Sequence, residues 1–153
     1  MRLTDILRPD LCWPALAART KPEVIGELAK KIASVEKGLT AEGLSEILME
    51  RERLGSTGIQ DGIAIPHGKV PGLEKILIAF GLSREGIDFE AHDGKPTHIF
   101  FVLLAPESAA GQHLKALARL SRLLKDADFR DRLIKGKDAQ EIYGAIAAED
   151  KRF

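Results

Sequence analysis

Four histidines, one arginine and a short hydroxyl-bearing turn are the residues of this chain whose type and setting suit chemistry. His67 stands in "GIAIPHGK", His113 in "GQHLKAL", and His92 and His98 flank "DGKP". Imidazole exchanges protons near neutral pH and can act as a nucleophile. Pro66 has no N–H and tends to end a strand, while Gly68 lets a ligand come close to the backbone. Their order places His67 in an exposed loop at a strand end, where α/β folds carry chemistry, although a histidine decorating a turn would look the same. Positions 113, 117, 120 and 124 share one helical face. His113 therefore continues a leucine stripe near a helix start, where N–H groups and the helix dipole favour an anion. A half-buried histidine satisfied by a carbonyl is the alternative.

Arg51 is set apart from Arg53 by the same phase reasoning. Ile47, Arg51 and Leu54 fall on one face, so Arg51 interrupts an apolar stripe, and a charge there needs a carboxylate or phosphate partner. Arg53 falls with Glu46 and Glu50 on the solvated side. Ser56 and Thr57 in "GSTG" add hydroxyls beside flexible backbone, but without the Gly-Lys-Ser/Thr ending of a phosphate-binding P-loop. His92, Asp93 and His98 read as a turn and a strand entry in preference to a metal site.

The elements that must hold these residues belong to one ordinary domain. The 153 residues are 44% hydrophobic and 30% charged, with 23 basic and 23 acidic side chains. A net charge of zero removes the electrostatic argument for nucleic acid or an anionic membrane. Cys12 is the only cysteine, so neither an internal disulfide nor a four-cysteine metal site can form. The N-terminus carries Asp5, Arg8 and Asp10 where a signal peptide needs an apolar core. The longest strongly apolar run, "HIFFVLLAP", is too short to span a bilayer. A cytoplasmic address is expected.

"TKPEVIGELAKKIASVEKG" predicts a helix capped by Thr20. "TAEGLSEILMERERLG" predicts a second, capped by Thr40, stopped by Gly55, with Leu44, Ile47 and Leu48 inward. Three apolar runs of strand length follow, "GIAIPHG", "KILIAFGLS" and "THIFFVLLAP", which do not alternate and so suit a sheet covered on both faces. Between the last two, "REGIDFEAHDGKP" has room for a short edge strand. The stretch from Glu107 to Asp126 predicts a long helix with Leu114, Leu117, Leu120 and Leu124 as its stripe. Helices near 128–135 and 138–148 close a single α/β domain over 1–153: a small mixed β-sheet flanked by helices on both faces.

"RERLGSTGIQDGIAIPHGK" and "APESAAGQHLKALARLSRLLKD", with the opening "LTDILRPDL", resemble the enzyme IIA proteins of the bacterial phosphotransferase system. The resemblance is to the fructose–mannitol class and, within it, to the nitrogen-regulatory type. It implies the same layered fold, His67 as the phosphorylated residue, His113 as the second histidine of the site, and Arg51 as its arginine. A histidine phosphocarrier would be the donor, with Ser56, Thr57 and the Gly68 backbone as further phosphate contacts and Ile59, Ile63, Val70 and Leu73 as an apolar docking rim. Transfer between two imidazoles calls for no metal or other cofactor. Sugar-transporting relatives pass the group to a IIB domain; neither that domain nor a membrane domain is expected within 153 residues. A regulatory role is the first expectation, and stand-alone fructose or mannitol uptake the second. From other classes come a hydrolase using His67 as general base with Asp93 or His113, and an interaction module without covalent chemistry.

Overall fold

The most apolar stretch of the chain, "THIFFVLLA", forms the central strand β5 (Thr97–Ala105), in which every residue but His98 is buried. The computed structural model describes residues 1–153, and β5 pairs antiparallel with β4 (Leu77–Ile87) from Leu77↔Leu104 to Ile87↔Thr97. Both strands are buried along successive positions. Since neighbouring side chains point to opposite faces, the sheet is covered on both sides. A short strand β1 (Cys12–Trp13) runs parallel to β4 at one edge. At the other edge β2 (Ile63–Ala64) and β3 (His67–Lys69) both run parallel to β5, in registers Ile63↔Ile99 and His67↔Leu103. The two are one edge strand interrupted at Ile65–Pro66. An edge is where a strand tolerates a proline, and the Pro66 carbonyl still accepts from the Leu103 N–H at 2.9 Å.

The expected mixed sheet with flanking helices is the observed architecture. Helices α1 (Lys21–Val35) and α2 (Ala41–Arg53) start where the hydroxyl caps place them: Thr20 accepts from the Glu23 N–H and Thr40 from the Gly43 N–H. Three more helices follow β5, namely α3 (Ala110–Leu123), α4 (Ala127–Lys135) and α5 (Ala139–Asp150). The end of α5 is tied inward. Asp150 is fully buried and accepts from Arg119 Nε at 2.8 Å and from the Thr4 N–H at 3.2 Å. This fixes α3, whose first turn carries His113.

Three local expectations change. The connection before β5 holds no separate edge strand, because β4 itself continues through a bulge between Leu82 and Ile87. The buried stripe of α3 is His113, Ala116, Leu120 and Leu123, with Leu114 68% exposed. Leu54, grouped above with Arg51, follows the last turn of α2 and is 84% exposed. No helix is long and apolar enough to cross a membrane.

Candidate functional site

His67 opens β3, half-buried within the edge strand instead of lying in a loop. Its Nδ1 lies 2.8 Å from the Ile65 carbonyl oxygen, and its Nε2 lies 3.2 Å from Arg51 Nε. A carbonyl only accepts and a guanidinium only donates. Both contacts therefore assign one tautomer to the neutral ring: the proton sits on Nδ1 and the lone pair on Nε2. Burial is the largest influence on this imidazole and pushes its pKa below the ordinary value. Arg51 acts the same way, while the Ile65 carbonyl and Glu52 oppose it. The consequence is a neutral, oriented nitrogen nucleophile.

Gly68 is needed here for space and not for an unusual backbone angle. A Cβ at this position would lie 2.6 Å from Ile47 Cγ2, so only glycine lets β3 approach α2 this closely. That approach brings Arg51, on the last turn of α2, to His67. Arg51 is itself held by a 2.9 Å bond from Nη1 to the Gly55 carbonyl, which leaves the guanidinium edge beside Nε2.

His113 completes the group from the other side. Its ring meets that of His67 edge-on, with centroids 5.3 Å apart and planes at 82°. It is 8% exposed, and its Nε2 is buried without a hydrogen-bond partner. Buried polar atoms are normally paired, so an unpaired one at a site points to a ligand. Its pKa is lowered by burial first, then by His67 and Lys69. Helix α3 begins at this place without a side-chain cap on its N–H groups. Arg51 Nε, which donates to Nε2, and the His113 ring in the first turn of α3 thus flank one lone pair with groups suited to an anion.

The hydroxyls expected to face a phosphate are engaged inside the loop. Ser56 Oγ donates to the Phe89 carbonyl at 2.8 Å and accepts from the Gly58 N–H at 3.0 Å. Thr57 Oγ1 donates to Glu52 Oε2, and the Thr57 N–H donates to Glu52 Oε1 at 3.0 Å. Glu52 is the residue that helical phase alone did not single out: a glutamate among charged neighbours, yet 6% exposed. Its partner, Lys21 Nζ at 3.0 Å, comes from the start of α1, and only tertiary contact reveals the pair. Arg53 is exposed and paired with Glu50, as its phase indicates.

Two of the four residues expected to form an apolar docking rim lie in the core. Ile63 and Val70 are buried at 2% and 4% exposure and cannot meet a partner; a sheet covered on both faces draws them inward. Ile59 and Leu73 are half-buried. The large apolar side chains that do reach solvent beside the site are Leu54, three residues past Arg51, and Leu114, next to His113. His98 Nδ1 is engaged with the Ser83 carbonyl at 2.9 Å, His92 is exposed, and Asp93 accepts from the Asp61 and Lys95 N–H groups. No group of three or more His, Cys, Asp or Glu side chains is placed to hold a metal ion.

Comparison with known proteins finds relatives that match nearly all of the chain. The family model described as "Phosphoenolpyruvate-dependent sugar phosphotransferase system, EIIA 2" matches residues 5–149. A protein named nitrogen regulatory protein from Bradyrhizobium diazoefficiens is 46% identical over 147 residues, covering 96% of this chain and 95% of that protein. The fructose-specific EIIABC component of Bacillus subtilis is 35% identical over 151 residues, 99% of this chain but 24% of that much longer protein. The crystal structure of nitrogen regulatory protein IIA-Ntr from Neisseria meningitidis superposes with a TM-score of 0.87 at 32% identity, covering 94% of this chain and 98% of that one.

Proposed function

Because the chain belongs to the EIIA 2 family of the phosphoenolpyruvate-dependent sugar phosphotransferase system, we propose that His67 is its phosphoryl acceptor, with the phosphohistidine of a small histidine phosphocarrier as donor. The single observation that carries this reading is the state of the His67 ring: Nδ1 is held by the Ile65 carbonyl, and the Nε2 lone pair accepts from Arg51 Nε beside His113, a bond that passes to the phosphoryl oxygens as Nε2 attacks. Nε2 attacks phosphorus in line. The N–P bond to the donor ring breaks as the Nε2–P bond forms. The donor, protonated on its other nitrogen, leaves as neutral imidazole with the electron pair of the broken bond. His67 becomes a phosphorylated imidazolium whose Nδ1–H stays on the Ile65 carbonyl. The transferring group is loose and metaphosphate-like, so positioning and charge stabilisation supply the catalysis. Arg51 and His113 are the side chains that meet its oxygens.

The accepted group serves as a regulatory signal in this reading, read by partner proteins in a phosphorylation-dependent way. Its support is the 46% identity to a nitrogen regulatory protein over nearly the full length of both chains. Delivery to a IIB domain for sugar uptake is the second reading, supported by the full-length match to one part of a fructose-specific EIIABC component. The test is incubation with phosphoenolpyruvate, enzyme I and a histidine phosphocarrier. An acid-labile, alkali-stable phosphate is expected on the wild-type protein and absent from His67→Ala. Labelling that survives His67→Ala would overturn the site, and no labelling with any carrier would overturn the function. Onward transfer to a IIB domain would favour uptake over signalling.

A further inference from the structure

We propose that Glu52, with Lys21 as its counter-ion, is a positioning carboxylate for this site, fixing the partners of both ring nitrogens of His67 through the Gly55–Thr57 turn. The inference rests on the reading of His67 as phosphoryl acceptor and assigns a role to a residue that does not touch the reacting atoms.

Two tethers leave the Glu52 carboxylate. It takes the N–H and hydroxyl of Thr57, and the Thr57 carbonyl accepts from the Ile65 N–H at 3.1 Å. Ile65 is the residue whose carbonyl holds His67 Nδ1. The second tether is the turn itself. With Thr57 anchored to Glu52, the Gly55 carbonyl sits where Arg51 Nη1 reaches it, and Arg51 Nε is thereby aimed at His67 Nε2. One carboxylate thus stands behind the proton on Nδ1 and behind the cation at Nε2.

The carboxylate is built to stay put. Its side chain is 2% exposed and that of Lys21 10%, and Lys21 Nζ is also 3.1 Å from Glu90 Oε1 and 4.7 Å above the Phe89 ring. Buried ion pairs contribute little to net stability compared with an apolar replacement, so stability alone does not explain one at this position. Its negative charge also favours the cationic form of His67, the form the ring takes once Nε2 bonds to phosphorus.

The test compares Glu52→Gln with wild type and with Arg53→Ala, a control that alters charge next door. Ring 15N NMR of His67 in the unphosphorylated protein reads the tautomer without any donor, and single-turnover transfer from phosphorylated carrier reads the rate. In folded Glu52→Gln the Nδ1-protonated pattern should give way to a mixture. The transfer rate should fall about a hundred-fold, as for a misplacement of roughly 1 Å, with KM for the carrier unchanged. Arg53→Ala should match wild type. A merely structural Glu52 would lower the melting temperature and leave the tautomer pattern and rate of folded protein intact; that result overturns the proposal. Should Glu52→Gln fail to fold, Thr57→Val removes the hydroxyl half of the tether while keeping the ion pair and the N–H bond to Glu52. It should shift the tautomer pattern in the same direction by a smaller amount, and a wild-type pattern there overturns the proposal equally. If wild type takes no phosphate, the phosphoryl reading fails while the tautomer comparison still decides this one.

Discussion

Gly68→Ala tests the geometry of the site most directly, because one methyl group should damage stability and transfer together. The added Cβ would sit 2.6 Å from Ile47 Cγ2, against about 3.5–4.0 Å for a relaxed carbon contact. The deficit of about 1 Å is met by β3 and α2 moving apart, since turning Cγ2 aside means rotating χ1 of a β-branched residue that a helix holds in one preferred rotamer. Overpacking of this kind costs about 1–3 kcal/mol, which for a chain of this size lowers the melting temperature by about 3 °C per kcal/mol. The same displacement acts on the 3.2 Å bond between Arg51 Nε and His67 Nε2. It would stretch that bond to about 4 Å, beyond hydrogen-bond range, and transfer should slow by about a hundred-fold.

Ile47→Ala removes the clashing methyl and supplies the control. Alone it loses a half-buried side chain; combined with Gly68→Ala it should restore the spacing. The double variant should be less destabilised than the sum of the singles by about 1–2 kcal/mol and should recover transfer relative to Gly68→Ala. Thermal denaturation and single-turnover labelling measure the two effects. Strict additivity in stability, or wild-type transfer in Gly68→Ala, would refute the account of this glycine as the spacer between Arg51 and His67.

Three further outcomes follow from the same site. As the proposed acceptor His67 must be neutral, and its pKa lies below the usual imidazole value, chiefly through burial. Loss of neutral His67 should therefore slow transfer only below about pH 6.5, any fall at higher pH coming from loss of the donor ring's proton. His113 is lowered too, so at falling pH the unfolded chain binds protons that the folded one refuses, and stability should drop as pH falls below about 6.5; an NMR titration placing His67 at or above that value would contradict both. Leu54 and Leu114 are 84% and 68% exposed, so Leu54→Ser and Leu114→Ser should leave the melting temperature unchanged. Each should weaken carrier docking by about 1 kcal/mol, a roughly fivefold rise in KM with kcat retained, and an unaltered KM in both would remove them from the interface.

The residues legible in the sequence were those for which local rules and tertiary needs agree. Thr20 and Thr40 cap the helices they announce, because capping is a contact within one turn. His113 lies on the buried face of α3, where a polar group needs a partner, and Arg51 meets it at His67, although Leu54, which helped to place Arg51 on an apolar face, is exposed. Ile63 and Val70 depart from the expected exposure for a physical reason. Proximity to His67 along the chain suggests a rim, but Ile63 in β2 is turned into the core, and Val70, just past β3, is drawn in by its N–H bond to the Ala105 carbonyl at 2.8 Å. The reverse error hid Glu52. In "MERERLG" it looks like one more solvated charge, and nothing local distinguishes it from Glu50. Its burial depends on Lys21, on a different helix.

That contrast bears on how such a site stays accurate. The reactive ring is oriented by main chain: the carbonyl two residues before it fixes Nδ1, and the register His67↔Leu103 fixes the strand that carries it. Backbone constraints of this kind involve no flexible side chain, so the direction of the Nε2 lone pair is set by the sheet before any partner arrives. Arg51 and His113, by contrast, reach the same point from the last turn of one helix and the first turn of another. Their accuracy depends on how those helices are seated, and the two seats differ. Helix α3 is held through Arg119 and Asp150, far along its length, whereas the end of α2 is held next to the site through Glu52 and the Thr57 turn. A loosening of the α5 clasp should therefore reach the site only through the whole of α3, while a change at Glu52 acts within one residue of Arg51. Arg119→Ala and Glu52→Gln, compared at equal loss of melting temperature, should then differ in transfer rate, with Glu52→Gln the slower. Equal rates would mean that the site tracks global stability instead of this local seat.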